Sequence, residues 1–151
     1  KEIDLKNIKR LDKQVTKWFL PCRNSIFLIS ASAYAENLYF KTKKVYDIYI
    51  GLICEGKVPM KDTTKDFIKE MNNLVSFITK YGKYKIYAPF LDYDKDQVVS
   101  LGKKLKVDFK NTYSCYLGSD NLIHCGTCLA CMLRKKAFYW SGIKDKSRYK
   151  K

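Results

Sequence analysis

The chain has 151 residues, the length of one ordinary domain. Hydrophobic residues make up 46% and aromatic residues 15%, which supplies a packed core and excludes a disordered chain. No apolar run reaches the roughly 18 residues that a membrane-spanning helix needs. The longest, at residues 26–35, contains Ser30 and Ser32. We therefore expect a cytoplasmic protein that does not enter a membrane.

The charge is strongly positive, with 30 Lys and Arg residues against 15 Asp and Glu and a formal net charge of +15. A field of this sign attracts phosphate groups, whether of a nucleotide or of RNA. Only four of the basic residues are arginines, and phosphate readers usually employ arginine forks. The excess of lysine favours solvated faces, and RNA contact stays an alternative. The first residue, Lys1, is not Met, which suggests a fragment or a processed chain.

The first two predicted elements are helices. Apolar residues at helical spacing predict one over residues 8–20, which Pro21 ends. We expect Asn24 or Ser25 to cap a second helix that extends to about Leu38. Because this helix is apolar on nearly every side, its sequence predicts burial between two layers.

Strands and helices then alternate. The predicted order is strand, polar loop, helix, strand, helix, at residues 46–53, 55–62, 67–78, 84–88 and 94–105. Gly82 stands where a glycine commonly closes a helix, and Asp94 with Gln97 resembles a capping box. The alternation predicts an α/β fold, with a parallel sheet and helices on both faces. The basic tail, residues 144–151, is expected to fray.

Four cysteines carry the clearest chemical signal. Cys115, Cys125, Cys128 and Cys131 read C-x9-C-x2-C-x2-C. Thiolates are soft ligands, and Zn²⁺ takes four of them in a tetrahedron. Gly126 lies in the first short gap, where a tight turn often needs a positive φ. With four protein ligands the site is closed, so we predict one structural zinc ion.

Other uses of these cysteines are less favoured. Nothing marks the chain as secreted, which argues against disulfides. A redox pair would need only Cys125 and Cys128. An iron–sulfur cluster is the main alternative, because C-x2-C-x2-C is also cluster spacing. His124, the only histidine, is expected to be a neighbour of the site rather than a ligand, and Cys54 a small core residue.

The segments around these cysteines resemble a known family. Residues 112–118 (TYSCYLG) and 124–138 (HCGTCLACMLRKKAF) are similar to the C-terminal signature of the 7-cyano-7-deazaguanine synthase family, a branch of the adenine-nucleotide α-hydrolases, or PP-loop proteins. Three further segments match less specifically: residues 21–24 (PCRN), Ile50-Gly51 with Glu55, and residues 88–95 (APFLDYDK). The resemblance extends from about Pro21 to Ile143.

The resemblance implies a fold and a reaction. The fold is Rossmann-like, with a partial nucleotide-binding domain at residues 1–110, a zinc lobe at 111–143 and a basic tail at 144–151. The reaction is the ATP-driven conversion of 7-carboxy-7-deazaguanine and ammonia into the 7-cyano compound, a precursor of queuosine and archaeosine. Zn²⁺, ATP and Mg²⁺ are the implied cofactors. A deazapurine substrate, an ammonia source and a homodimer are the implied partners, and tRNA is a further candidate.

Two departures from the family pattern affect these expectations. The ATP-gripping loop, Ser-Gly-Gly-x-Asp-Ser, is absent from the 151 residues, so the chain resembles a C-terminal portion and is expected to be inactive alone. The loop at residues 56–62 (GKVPMKD) keeps a proline where the family has Gly-Tyr-Pro-Asp, but the acidic residue is displaced. The substrate is therefore expected to differ if that loop reads the base.

Substrate contacts are predicted at Arg23, Asn24, Glu55 and Asp62. An arginine can neutralise a carboxylate or phosphate, and an asparagine can donate and accept at a base edge. The competing interpretation is that Asn24 only caps a helix and Arg23 is solvated. Two other functions stay open: a related module that acts on tRNA or on a protein, and a zinc-stabilised remnant without catalysis.

Overall fold

The computed structural model describes residues 20–53, 60–81, 83–117 and 121–150. The helix predicted at residues 8–20 lies outside this range except for Leu20. Among the described helices, none is both long and apolar enough to cross a membrane. The chain divides into two compact units, one from Pro21 to Asp94 and one from Lys95 onward, and each is described by itself. The domain boundaries expected from the sequence stay predictions.

The first unit opens with helix α1, Arg23–Thr42. Its N-cap is Cys22, which has a left-handed φ of 60° and no side-chain capping bond. The prediction that Asn24 or Ser25 caps this helix is wrong, because both residues lie inside its first turn. Lys43, at φ 59°, closes the helix with its N–H bonded to the Tyr39 carbonyl.

Helix α1 buries one face only. Its buried residues recur every three or four positions and are Asn24, Leu28, Ser32 and Ala35. Phe27 and Tyr34, on other faces, are 59% and 65% exposed. The expected burial on nearly every side is therefore wrong for the described chain, because its neighbouring elements pack along the Leu28–Ala35 face.

A parallel β-α-β unit follows. Strand β1 is Ile48–Tyr49, helix α2 is Lys65–Ile78, and strand β2 is Ile86–Tyr87. The strands pair in parallel, with Ile48 opposite Ile86. The predicted alternation and parallel pairing are confirmed, although each strand is shorter than the apolar run that predicted it.

Helix α2 is held at its start and at its middle. The Thr64 hydroxyl accepts the Phe67 N–H at 3.1 Å, so the orphan amides of the first turn gain a cap. Met71 and Val75 face the core with Leu28. The helix ends at Ile78, and the glycine expected to close it, Gly82, lies outside the described residues.

Asn72 joins helix α2 to strand β2. Its Nδ2 donates to the Ile86 carbonyl at 3.0 Å, and its Oδ1 accepts the Ile86 N–H at 2.9 Å. One amide side chain thus pairs both backbone groups of a buried strand residue.

The second unit contains helix α3 (Lys95–Lys104), strand β3 (Ile123–His124), helix α4 (Leu129–Trp140) and strand β4 (Arg148–Tyr149). Strands β3 and β4 are parallel, with His124 opposite Tyr149. Val99 of α3 packs against Ala137 and Phe138 of α4. This small core supports the cysteine-bearing segments described below.

The tail is packed. The expectation that residues 144–151 fray is wrong for residues 144–150, which hold strand β4 and several side-chain bonds. Tyr149 donates its hydroxyl hydrogen to Asp145 at 2.6 Å, and Lys150 donates its N–H to the His124 carbonyl at 2.8 Å. Composition predicted fraying because it does not reveal these partners.

Candidate metal centre

The four cysteines converge. The Sγ atoms of Cys115, Cys125, Cys128 and Cys131 all lie within 4.8 Å of one another. Cys125 and Cys131 are 3.9 Å apart, and Cys128 and Cys115 are 4.0 Å apart. A tetrahedron with metal–sulfur bonds of about 2.3 Å has edges of about 3.8 Å. None of these four cysteines is in a disulfide bond. The distances between their sulfurs therefore match a cage for a single ion.

Three backbone features aim the sulfurs. Strand β3 delivers Cys125, and the turn after it needs Gly126 at φ 79°, as the spacing predicted. Cys128 is the N-cap of helix α4, and Cys131 lies in its first turn. Cys115 arrives from the segment that follows the 3₁₀ turn Phe109–Asn111. A side chain at position 126 would also meet the Lys135 ammonium, 3.0 Å from an added Cβ.

Backbone amides point at the sulfurs. The Cys125 N–H donates to Cys115 Sγ at 3.3 Å. The N–H groups of Thr127 and Cys128 donate to Cys125 Sγ at 3.4 and 3.2 Å. Such donors stabilise thiolates, which is the form that binds a metal.

The thiols differ in acidity. Burial raises the pKa of Cys125, but the amides of Thr127 and Cys128 outweigh it and bring the pKa down to about 6. Burial also raises the pKa of Cys115, but hydrogen bonds from backbone N–H groups outweigh it, so the pKa of Cys115 is lowered. Burial and the neighbouring sulfurs raise the pKa of Cys131 to about 12. Four adjacent negative sulfurs repel one another, so the full thiolate set requires a cation among them.

His124 supports the cage from the side. It is fully buried, and its Nε2 accepts the Ser114 N–H at 3.1 Å. Its ring lies between those of Tyr113 and Tyr149, with centroids at 4.8 and 5.1 Å. Burial and the charge of Arg134 lower its pKa, so the ring is neutral at pH 7. It orients the backbone next to Cys115 and is not part of the sulfur group.

Arg134 is a buried arginine that the sequence did not single out for a role of its own. It is 6% exposed, and its Nε pairs with Asp145 Oδ2 at 2.9 Å. Its remaining donors bond Ser114, the Phe109 carbonyl, Thr112, Asp145 and Ser147. These partners lie 11 to 25 residues away along the chain, so no local pattern could have revealed them.

Three of the four predicted substrate residues, Arg23, Asn24 and Asp62, are described in the first unit, and two of them touch. Asn24 is 4% exposed and donates its Nδ2 to Asp62 Oδ2 at 2.9 Å. It also donates to the Asp62 carbonyl at 3.2 Å. Arg23 is exposed at the start of α1, and Glu55 lies outside the described residues. Asn24 does not cap helix α1, and its amide instead bonds Asp62 in the 3₁₀ turn Lys61–Thr63.

An open cleft of about 270 Å³ adjoins this turn. Thr63, Thr64, Lys65, Leu91 and Asp92 line it. Lys65 and Asp92 pair at 2.8 Å, although both side chains are more than 70% exposed. Their polar groups are therefore available to a ligand at little cost, since exposed ion pairs are weak.

The fold and the cysteine cage together define a class: an α/β protein with parallel strand pairs and a C-terminal part whose four cysteines could hold a metal ion. Residues 1–142 match the family described as queuosine biosynthesis protein QueC. The chain belongs to the QueC family.

Relatives agree with this membership. The chain is 36% identical over 141 residues to a 7-cyano-7-deazaguanine synthase of Rickettsia bellii, which covers 93% of the chain and 60% of that protein. It is also 36% identical over 157 residues to a protein of the same name from Methanococcus vannielii, covering 99% and 64% respectively. The chain thus spans about 60% of the length of the curated relatives that it matches.

Proposed function

We propose that the chain is the C-terminal portion of a 7-cyano-7-deazaguanine synthase, and that its four cysteines hold one structural Zn²⁺. Family membership and the convergence of four sulfurs within 4.8 Å support this proposal. Tetrahedral sulfur ligation suits zinc or iron. A four-iron cluster would need its cysteine sulfurs farther apart than one ion does, so a single ion fits better.

The chain's own residues would serve the reaction in two places. The metal cage would anchor the segment from Cys115 to Cys131 without taking part in chemistry, because all four ligand positions are filled by protein. In the first unit, Asn24 would hold the carboxylate of Asp62, whose second oxygen can accept the N–H groups of a guanine-like base. Arg23 and Glu55 are proposed to contact the substrate. ATP with Mg²⁺ would supply two activations, one that lets ammonia displace the activated carboxylate oxygen to give the amide, and a second that removes the amide oxygen to give the nitrile.

Metal analysis tests the structural part. Protein purified under reducing conditions should contain one zinc per chain, and iron should be absent. Cys131→Ser should abolish stoichiometric zinc, while the exposed Cys22→Ser should keep it. Iron with visible absorption, or no metal in wild-type protein, would contradict the proposed zinc cage.

A chimera tests the catalytic part. We expect the 151 residues alone to give no 7-cyano-7-deazaguanine from 7-carboxy-7-deazaguanine, ATP–Mg²⁺ and ammonium. Joining them to the N-terminal part of the Rickettsia bellii relative, which by the family resemblance is expected to supply the Ser-Gly-Gly-x-Asp-Ser loop, should restore turnover. In the chimera, Arg23→Ala should reduce kcat/KM at least tenfold without changing thermal stability. Equal losses of turnover and stability would assign Arg23 a structural role, and robust turnover by the chain alone would overturn the requirement for that loop.

A further inference from the structure

The charge of the chain is concentrated in one part. Residues 95–151 contain 13 basic and four acidic residues, a net charge of +9 out of the total of +15. A compositional preference for lysine would distribute this excess evenly, and these 57 residues are just over a third of the chain. The proposed ligase function does not account for this concentration.

The end of the second unit arranges its charges in a row. From residue 144 to 150, exposed and half-buried residues alternate. Every exposed member is basic: Lys144, Lys146, Arg148 and Lys150, which we call the basic row. Residues two apart on a chain are at most about 7 Å apart, so the row presents cations at regular intervals. It lies beyond residue 142, where the QueC family match ends.

The half-buried residues that alternate with the basic row fix it to the segment that carries the cysteines. Asp145 and Ser147 bond Arg134, and the Tyr149 ring contacts the His124 ring at a tilt of 40°. Strand pairing adds the register of Arg148 opposite Ile123. A row held in place in this way loses little conformational entropy when it binds.

Further cations and aromatic rings lie close to the row, one in contact with Tyr149 and the others near the C-terminal end of helix α4, a few residues before Lys144. The Lys135 ammonium lies 4.6 Å from the centre of the Tyr149 ring, which adds a fifth cation beside the row. Helix α4 ends in Tyr139 and Trp140, which are 81% and 60% exposed. Lys136 lies over the Trp140 ring at 4.1 Å. Cations combined with exposed aromatic rings are the groups that bind unpaired nucleotides.

We propose that the basic row, with Lys135 and Trp140, is a binding surface for a single-stranded polynucleotide. A single small anion needs donors that converge on it, whereas these cations are spread along a line. Such a line matches a polymer with a negative charge at each repeat, and the phosphodiester backbone is that polymer. Because the surface recognises the charge and spacing of phosphates, it is expected to bind RNA without sequence specificity.

Salt-dependent binding to a labelled 20-nucleotide oligouridine tests the proposal, using the whole zinc-loaded chain. The quadruple variant K144Q/K146Q/R148Q/K150Q should weaken binding at least tenfold at 50 mM salt. It should also reduce the slope of log affinity against log salt by about 3, since each phosphate contact on a single strand contributes about 0.7. The matched control K69Q/K83Q/K103Q/K104Q removes the same charge from four exposed lysines elsewhere. It should change the slope by less than 1.

Three outcomes would overturn the proposal. One is equal weakening by the two quadruple variants, which would mean that only net charge matters. Another is displacement of the oligouridine by polyglutamate at equal charge concentration, or stronger binding to anionic vesicles, either of which would assign a different partner. The third is an absence of binding at 50 mM salt. Because Arg148 also bonds the Asn121 carbonyl, K144Q/K146Q/K150Q separates lost binding from lost folding and should reduce the slope by about 2.

Discussion

Arg134 and Asp145 form the most enclosed ion pair among the described residues. Their side chains are 7% and 11% exposed, and the pair is supported by Ser147 and Tyr149. Burial raises the pKa of Asp145, but Arg134, Tyr149 and Ser147 outweigh it and bring the pKa down to about 2 from 3.8. A lysine could not replace Arg134, because a single ammonium group cannot reach all of the acceptors that the planar guanidinium bonds.

The lowered pKa predicts how stability depends on pH. Because the folded pKa lies below the unfolded one, Asp145 stabilises the fold above pH 4 and loses this effect as pH falls through about 2. At pH 6, Asp145→Asn should lower the free energy of unfolding by about 2 kcal/mol. Urea unfolding at several pH values should show the difference from wild type shrinking toward pH 2.

Comparison of Asp145→Asn with wild type at each pH separates the effect of the carboxylate from acid release of the proposed zinc, which both proteins would undergo. Asp108→Asn is the control, because the ion pair of Asp108 with Lys110 is exposed and an asparagine can still cap the 3₁₀ turn Phe109–Asn111, so stability should change little at any pH. A difference for Asp145→Asn that stays constant from pH 6 to pH 2 would show that its charge is not responsible.

The sequence was informative about single residues where chemistry is local. The cysteines could be predicted because soft ligands at short spacing have few other uses, and Gly126 because a tight turn constrains φ. Arg134 could not be assigned its role, since its acceptors come from residues 109 to 147. The Asn24–Asp62 contact was hidden in the same way, although each residue was predicted as a candidate for substrate binding.

Among the elements, helix α2 and strand β2 depend on one another through Asn72. The side chain replaces the backbone partners that Ile86 lacks on that side, and Ile86 is 3% exposed. Unpaired buried backbone groups cost about 1–3 kcal/mol. A single amide therefore fixes the distance between a helix and a strand.

This contact predicts the effect of its removal. Asn72→Ala should destabilise the first unit by about 1–3 kcal/mol and speed hydrogen exchange at the Ile86 amide. Asn73→Ala provides a matched neighbour, because among the described residues the exposed Asn73 amide bonds the Glu70 carboxylate and no strand residue. If Asn72→Ala left hydrogen exchange at the Ile86 amide as slow as Asn73→Ala does, the hydrogen bonds between Asn72 and Ile86 would contribute nothing to stability.

Periodicity predicted whether a segment is a helix or a strand more reliably than it predicted how much of that segment is buried. The spacing of Phe67, Met71 and Ile78 predicted helix α2, and the β-branched and aromatic runs predicted strands β1 and β2. Burial of helix α1 was overestimated, because an apolar helix does not state which of its faces the rest of the chain covers. The order of the tail was underestimated, because its many basic residues suggested a solvated segment, whereas Asp145, Ser147 and Tyr149 between them are half-buried.

At the scale of the whole molecule, the two units differ in what holds them together. The first has a core of aliphatic and aromatic side chains, among them Leu28, Met71, Val75 and Ile86. In the second, the cluster around the cage consists of three buried cysteines and Ala130, with Tyr113, Cys125 and Tyr149 packed beside it. Such a cluster buries little apolar area, and its sulfurs repel one another when ionised.

The two units should therefore respond differently to loss of the proposed metal. Structural zinc contributes about 10 kcal/mol or more of binding free energy to small domains, and in the second unit much of that would be folding free energy. A strong chelator under reducing conditions should abolish hydrogen-exchange protection in peptides spanning residues 113–150. Peptides from helix α2 and strand β2 should keep theirs, and added zinc should restore the lost protection. The Cys22→Ser variant should behave as wild type, because Cys22 is exposed and lies in the first unit. Retained protection at residues 113–150 after complete metal removal would show that the Arg134 network alone sustains the lobe.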